Sequence, residues 1–121
     1  MAVKSKIKIS SVAFLALLLS ISVCAQNIQI SSTGNPTEPS IMMDPNNPDI
    51  LVAGSNLNYY YTSSDGGTTW NVNTLTSSYG VWGDPVIDID TLGHFYFTHL
   101  SNMPGGNWID RIVCQKSTNA G

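Results

Sequence analysis

From Pro39 onward, apolar and polar residues alternate in short runs and never recur at helical spacing. The runs are Pro39–Met43, Ile50–Gly54, Tyr59–Ser63 and Thr69–Thr74, then Pro85–Asp90, His94–Leu100 and Arg111–Ser117. Each is rich in β-branched or aromatic residues and is bounded by Gly, Pro, Asn, Asp or Ser. This pattern predicts seven short strands and no helix. Connections this short favour antiparallel neighbours, four strands in succession and then three.

The two groups are copies of one plan. Glu38-Pro-Ser-Ile-Met-Met-Asp44 aligns with Asp84-Pro-Val-Ile-Asp-Ile-Asp90, each reading acid, Pro, x, apolar, x, apolar, Asp. A turn and an apolar strand follow both, Asp44-Pro-Asn-Asn-Pro-Asp in the first copy and Asp90-Thr-Leu-Gly in the second. The second copy carries an insertion, Ser101 to Asp110. One four-stranded sheet cannot bury both of its faces, so stacking between copies must supply the core.

Between the third and fourth strands, Ser63 to Trp70 read S-S-D-G-G-T-T-W. Ser63, Asp65, Gly67, Thr69 and Trp70 satisfy the five specified places of the Asp-box, or bacterial neuraminidase repeat. Its spacing has a physical reason. Asp65 can accept backbone N–H groups of the following turn. Gly66 and Gly67 permit the positive φ angles of a tight hairpin, and the Trp70 indole covers it. Ser117-Thr-Asn-Ala-Gly121 repeats the opening of the box, with Asn119 in place of Asp. Read so, the sequence is the N-terminal piece of a longer protein, its propeller continuing after Gly121; the plainer alternative is a polar tail.

The chain thereby resembles secreted sialidase-like Asp-box proteins over most of residues 36–121. The resemblance implies an all-β β-propeller fragment: one full four-stranded blade (about 36–75) and most of a second (about 84–121). It implies a box at the blade rim, structural in role and far from any active site, and a glycan site on the axis at one face. There each innermost strand begins, and the loop between second and third strands opens. The residues selected are Glu38 and Asp84 as catalytic candidates and Asn56, Trp82, Trp108 and Asp110 as substrate-binding candidates, with Tyr79 and Asn107 nearby. Acids can accept from sugar hydroxyls or protonate a leaving oxygen; the competing role for Glu38 and Asp84 is to end strands, with Pro39 and Pro85 blocking a ladder bond. Sialidases place an Arg-Ile-Pro motif where this chain has Glu38-Pro39-Ser40-Ile41, so catalysis stays open. A glycoside hydrolase acting on extracellular glycans and a non-catalytic glycan- or protein-binding propeller are the two readings.

Composition narrows the setting. Residues 1–25 read as a secretory signal: Lys4, Lys6 and Lys8, then a short apolar stretch from Val12 to Leu19, then Val23-Cys24-Ala25 before the cut. A lipoprotein anchor at Cys24 is the alternative, disfavoured by the preceding Val. Without that segment, Arg111 and Lys116 are the only cations against eight Asp and Glu. Such a surface excludes nucleic acid as a natural partner, and no other stretch is apolar enough to cross a membrane. A secreted bacterial protein that binds extracellular glycan or glycoprotein fits, with no cofactor. Cys114 falls in a strand pattern and reads as a buried thiol. His94 and His99 lie at odd spacing on one strand and cannot share a metal. Asp88-x-Asp90-x-x-Gly93 lacks the later carboxylates of a calcium loop.

Overall fold

A computed structural model describes residues 26–102, 105–106 and 108–120. The expected signal segment, including Cys24, and Asn107 lie outside the described residues. The described chain is all-β and without helix. It has β1 (Ser40–Asp44), β2 (Asn47–Ser55), β3 (Tyr59–Ser63), β4 (Asn71–Thr74), β5 (Val86–Ile89), β6 (Phe95–Ser101) and β7 (Arg111–Ser117). They form two antiparallel meanders, β1-β2-β3-β4 and β5-β6-β7. Among the described residues no helix is long and apolar enough to cross a membrane.

β1, β5 and β6 differ from the pattern by one residue at each end, and β2 and β4 by more, each of these two with a local cause. β2 starts at Asn47 because the hairpin is tight enough to pair Asp44 with Asn47 across a register shift. β4 starts at Asn71 because the Thr69 amide donates to the Asp65 carboxylate instead of joining a ladder.

The sheets pack through the face of the first that carries Met42, Val52 and Tyr60 and the face of the second that carries Ile87, Phe95 and Phe97. Val52, Ile87, Phe95 and Phe97 are buried together, each such side chain contributing about 1.5–3 kcal/mol. Gly54 permits the approach. A Cβ there would stand 2.8 Å from Phe97 Cε2 and 3.2 Å from Ile87 Cδ1. The Ile87 amide also donates across the gap to Ser40 Oγ at 2.9 Å. Contact is closest along β1 and β5. Outward of them lies an apolar cavity of about 130 Å³ bordered by Leu75, Phe97 and Gln115.

The face that Ile87 and Ile89 bury in the second sheet corresponds to the one bearing Ile41 and Met43 in the first. Those two are about half exposed, at 49% and 51%. The segment before β1 covers part of that face, through Ile30 and Pro36 against Ala53 and Tyr61. On the second sheet, Val86 and Ile112 look outward and are exposed. Cys114 shares their face. It is exposed, which corrects the expectation of a buried thiol: strand alternation turns it away from the other sheet.

His99 is fully buried without a charged partner. Its Nδ1 donates to the Leu100 carbonyl at 2.8 Å and its Nε2 accepts from the Gln115 amide at 3.1 Å. Both ring nitrogens are thus satisfied by neutral groups, which a buried imidazole requires.

Candidate functional site

The meanders give each sheet two chemically different ends. At one end lie the β1–β2 and β5–β6 turns and the box between β3 and β4. At the other, β1 and β5 begin, β2 and β6 finish, and β3 and β7 start.

The box end is closed on itself. Asp65 Oδ1 accepts from the Thr69 amide at 2.9 Å and the Ser63 hydroxyl at 2.8 Å; Oδ2 accepts from the Thr69 hydroxyl at 2.6 Å. Ser63 Oγ accepts in turn from the Gly67 amide at 2.9 Å. Trp70 Nε1 donates to the Gly67 carbonyl at 2.9 Å, and its ring lies where a Gly67 side chain would touch it. Gly66 and Gly67 have φ of 70° and 86°, the region that glycine enters at no steric cost. The Thr69 and Ser63 donors hold the Asp65 carboxyl at about 2, down from 3.8. Gly66 N–H reaches back to the Asp49 carbonyl, tying the box to the neighbouring turn.

The same opening recurs at the end of β7. Ser117 Oγ donates to Asn119 Oδ1 at 2.8 Å and accepts from the Asn119 amide at 3.3 Å. Asp90 closes its own turn similarly. Its oxygens take the Leu92 and His94 amides, the His94 ring and the Tyr96 hydroxyl, all at 2.9–3.0 Å. The His94 amide leads in driving its carboxyl well below the ordinary range.

At the opposite end, three sequence candidates meet. The Asn56 side chain donates through Nδ2 to the Glu38 carboxylate and accepts the Asp84 backbone N–H at 2.8 Å through Oδ1. Its own amide donates to the Thr37 carbonyl at 3.0 Å. Glu38 and Asp84, equivalent in the repeat, both adopt positive φ, 53° and 49°. That conformation is uncommon for residues other than glycine. It is held here from both sides by one amide. Gly83 makes room, since a Cβ there would overlap the Asn56 amide oxygen. The Asp84 side chain is exposed and its carboxylate has no hydrogen-bond partner among the described residues.

No protein-family model matches the chain, and neither a curated protein nor a solved structure matches it. The arrangement of side chains therefore carries the argument alone.

Trp82 is exposed at 51%, with its backbone tied to Leu100. Tyr79 lies beneath the Arg111 guanidinium at 5.0 Å. Asp110 grips the same guanidinium through two bonds of 2.7 and 2.8 Å. Those bonds lower the Asp110 carboxyl and raise Arg111. Trp108 stands out at 81% exposure. So Trp82, Trp108 and Asp110 share this end with Glu38, Asn56 and Asp84. Asp110 is engaged by Arg111; the Asn56 bridge does not include it.

Two residues escaped the sequence reading. Ser101-Asn102 stands at the same repeat position as Ser55-Asn56, both serines buried at a strand end. The Ser101 hydroxyl donates to the Tyr79 and Gly80 carbonyls, and Asn102 to the Gly106 carbonyl. The dipeptide repeat was there to be found, but the insertion after it broke the alignment. Among the described residues no three His, Cys, Asp or Glu side chains converge as metal ligands.

Proposed function

We propose that the chain forms two stacked blades of a secreted Asp-box β-propeller whose Asn56 end binds extracellular glycans. The propeller reading is supported by the repeat of faces. Ile41 and Met43 hold the places at which Ile87 and Ile89 bury themselves against a neighbouring sheet, so the stacking has a direction and can be continued. The matching starts of the loops at Ser63 and Ser117 support it too.

The observation that carries the glycan reading is the Asn56 bridge. One neutral amide fixes two acidic residues of consecutive sheets at an end that also presents Trp82 and Trp108 to solvent. Fixed acceptors beside exposed indoles suit a ligand with hydroxyl edges and apolar faces. Isothermal titration of the full-length protein with oligosaccharides tests it. Asp84→Asn and Trp82→Ala should each weaken binding with unchanged melting temperature. Retained affinity in both, or lost stability in either, overturns the reading.

A hydrolase is the second reading, favoured by the exposed Asp84 carboxylate, which no donor among the described residues engages. A general acid must stand at the scissile oxygen. Release of nitrophenol from aryl glycosides, abolished by Asp84→Asn, supports an enzyme; binding without turnover leaves the binder.

A further inference from the structure

We propose that the cleft between residues 34–37 and the loop 56–59 is a subsite for one uncharged sugar ring; this rests on the glycan reading above. The cleft has a volume of about 420 Å³, within the roughly 300–1,000 Å³ of small-molecule sites. Asn35, Thr37, Asn56, Asn58 and Tyr59 line it. Two cavities elsewhere among the described residues are smaller, at about 130 and 140 Å³, and lie against core side chains such as Phe97 and Tyr61.

The polar lining is amide and hydroxyl, with Leu57 and Gly34 as its apolar part. An amide donates and accepts at once, as a sugar hydroxyl does, so a row of amides can match a polyol without placing any charge. Much of that capacity is unused. The Asn35 amide, the Thr37 hydroxyl and the Tyr59 hydroxyl have no partner among the described residues. Asn58 spends its NH₂ on the Leu75 carbonyl at 3.3 Å, which leaves its oxygen to accept. Tyr59 is held in place, because its ring rests where any side chain at Gly34 would stand. A fixed ring loses little freedom on binding. Asn56 joins this cleft to Asp84 and hence to Trp82, making one continuous surface.

Charge selects the ligand. Glu38 borders the cleft, Asp84 and Asp110 share its end, and Arg111 is already neutralised by Asp110. Lys116, the other described cation, lies over Tyr96 near the close of β7. A sugar carboxylate would meet fixed negative charge with no free cation to balance it. A neutral ring meets no such barrier.

The test is titration of the full-length protein with a panel of neutral oligosaccharides, lactose among them, and their sialylated forms. Neutral members should bind and sialylated members should bind more weakly. Asn35→Gly, which preserves the positive φ of 48° at that position, and Tyr59→Phe should each weaken binding about three- to tenfold, the scale of one lost hydrogen bond. Leu57→Trp, a substitution at an exposed cleft residue, should block binding outright. If all three leave affinity unchanged while Trp82→Ala removes it, the cleft is overturned and the glycan reading stands. Preference for sialylated members overturns the neutral ligand alone, and binding of neither class overturns both.

Discussion

The two ends of these sheets are built from the same residue types and behave in opposite ways. At the box end, Asp65 and Asp90 are each saturated by donors from within a few residues of themselves. At the other end, Glu38 and Asp84 are organised by one side chain from a distant loop, and the Asp84 carboxylate faces solvent. A turn whose acid is satisfied locally can be copied from sheet to sheet as a part. The bond from the Asp84 backbone N–H to Asn56 crosses from one sheet to the other, so it exists only once the stack has formed. The contrast separates scaffold from surface more sharply than residue type does.

The strongest perturbation should strike both ends together. Gly54→Val drives a branched side chain into Phe97 and Ile87, and overpacking of this kind costs about 1–3 kcal/mol. Thermal unfolding should show a clear loss of stability, with the proposed glycan affinity falling only because less protein is folded. A variant as stable as the parent would mean the sheets do not meet as closely as Gly54 implies.

Gly83→Ala should come next and should be confined to one end. It collides with the Asn56 amide and strains a backbone at φ 99°, so the bridge between the sheets should open. Binding is expected to drop more than melting temperature, read by titration and calorimetry side by side. Equal loss of both would erase the distinction between the ends.

Asp65→Ala should do the reverse. It removes the acceptor for the Thr69 amide, the Thr69 hydroxyl and Ser63, so melting should fall by several degrees while the proposed glycan affinity at the far end holds. A large affinity loss in a stable Asp65→Ala protein would make the box a binding site.

Acid supplies the gentlest probe. The folded Asp65 carboxyl titrates near 2, below its ordinary 3.8. Its stabilisation is therefore complete above the unfolded value and is lost as the pH falls through the folded one. Asp90 is shifted in the same direction. Melting temperature should decline as the pH drops below about 4, and Asp65→Asn, which copies the natural Asn119, should flatten part of that decline. An unchanged slope would remove Asp65 from the acid response.

How far the sequence announced all this depends on the range of each interaction. The strands were visible because alternation is a property of neighbouring residues, and β3 and β7 begin and end where the pattern said. The box was visible for the same reason: every bond to Asp65 is made within residues 63–69. The meeting of Glu38 and Asp84 could be inferred from the repeat. The agent that joins them could not, since Asn56 reaches both from a loop whose path depends on packing. Cys114 was misread because alternation fixes which residues share a face but does not say which face is covered. The cleft beside Tyr59 needed residues 34–37 to fold back onto the β2–β3 loop, and no periodicity encodes that.

The gap outward of β1 and β5 carries one more consequence. Two slabs that touch along one margin and part along the other make a wedge. Repeated face to face, wedges turn the stack through the same angle at each step, as in any solenoid whose curvature comes from a small rotation per unit. Flat slabs would stack straight, whereas tapered ones curve the stack. In the proposed propeller the turn per unit would follow from this taper, and the residues that set it line the gap: Leu75 on one wall, Phe97 and Gln115 on the other.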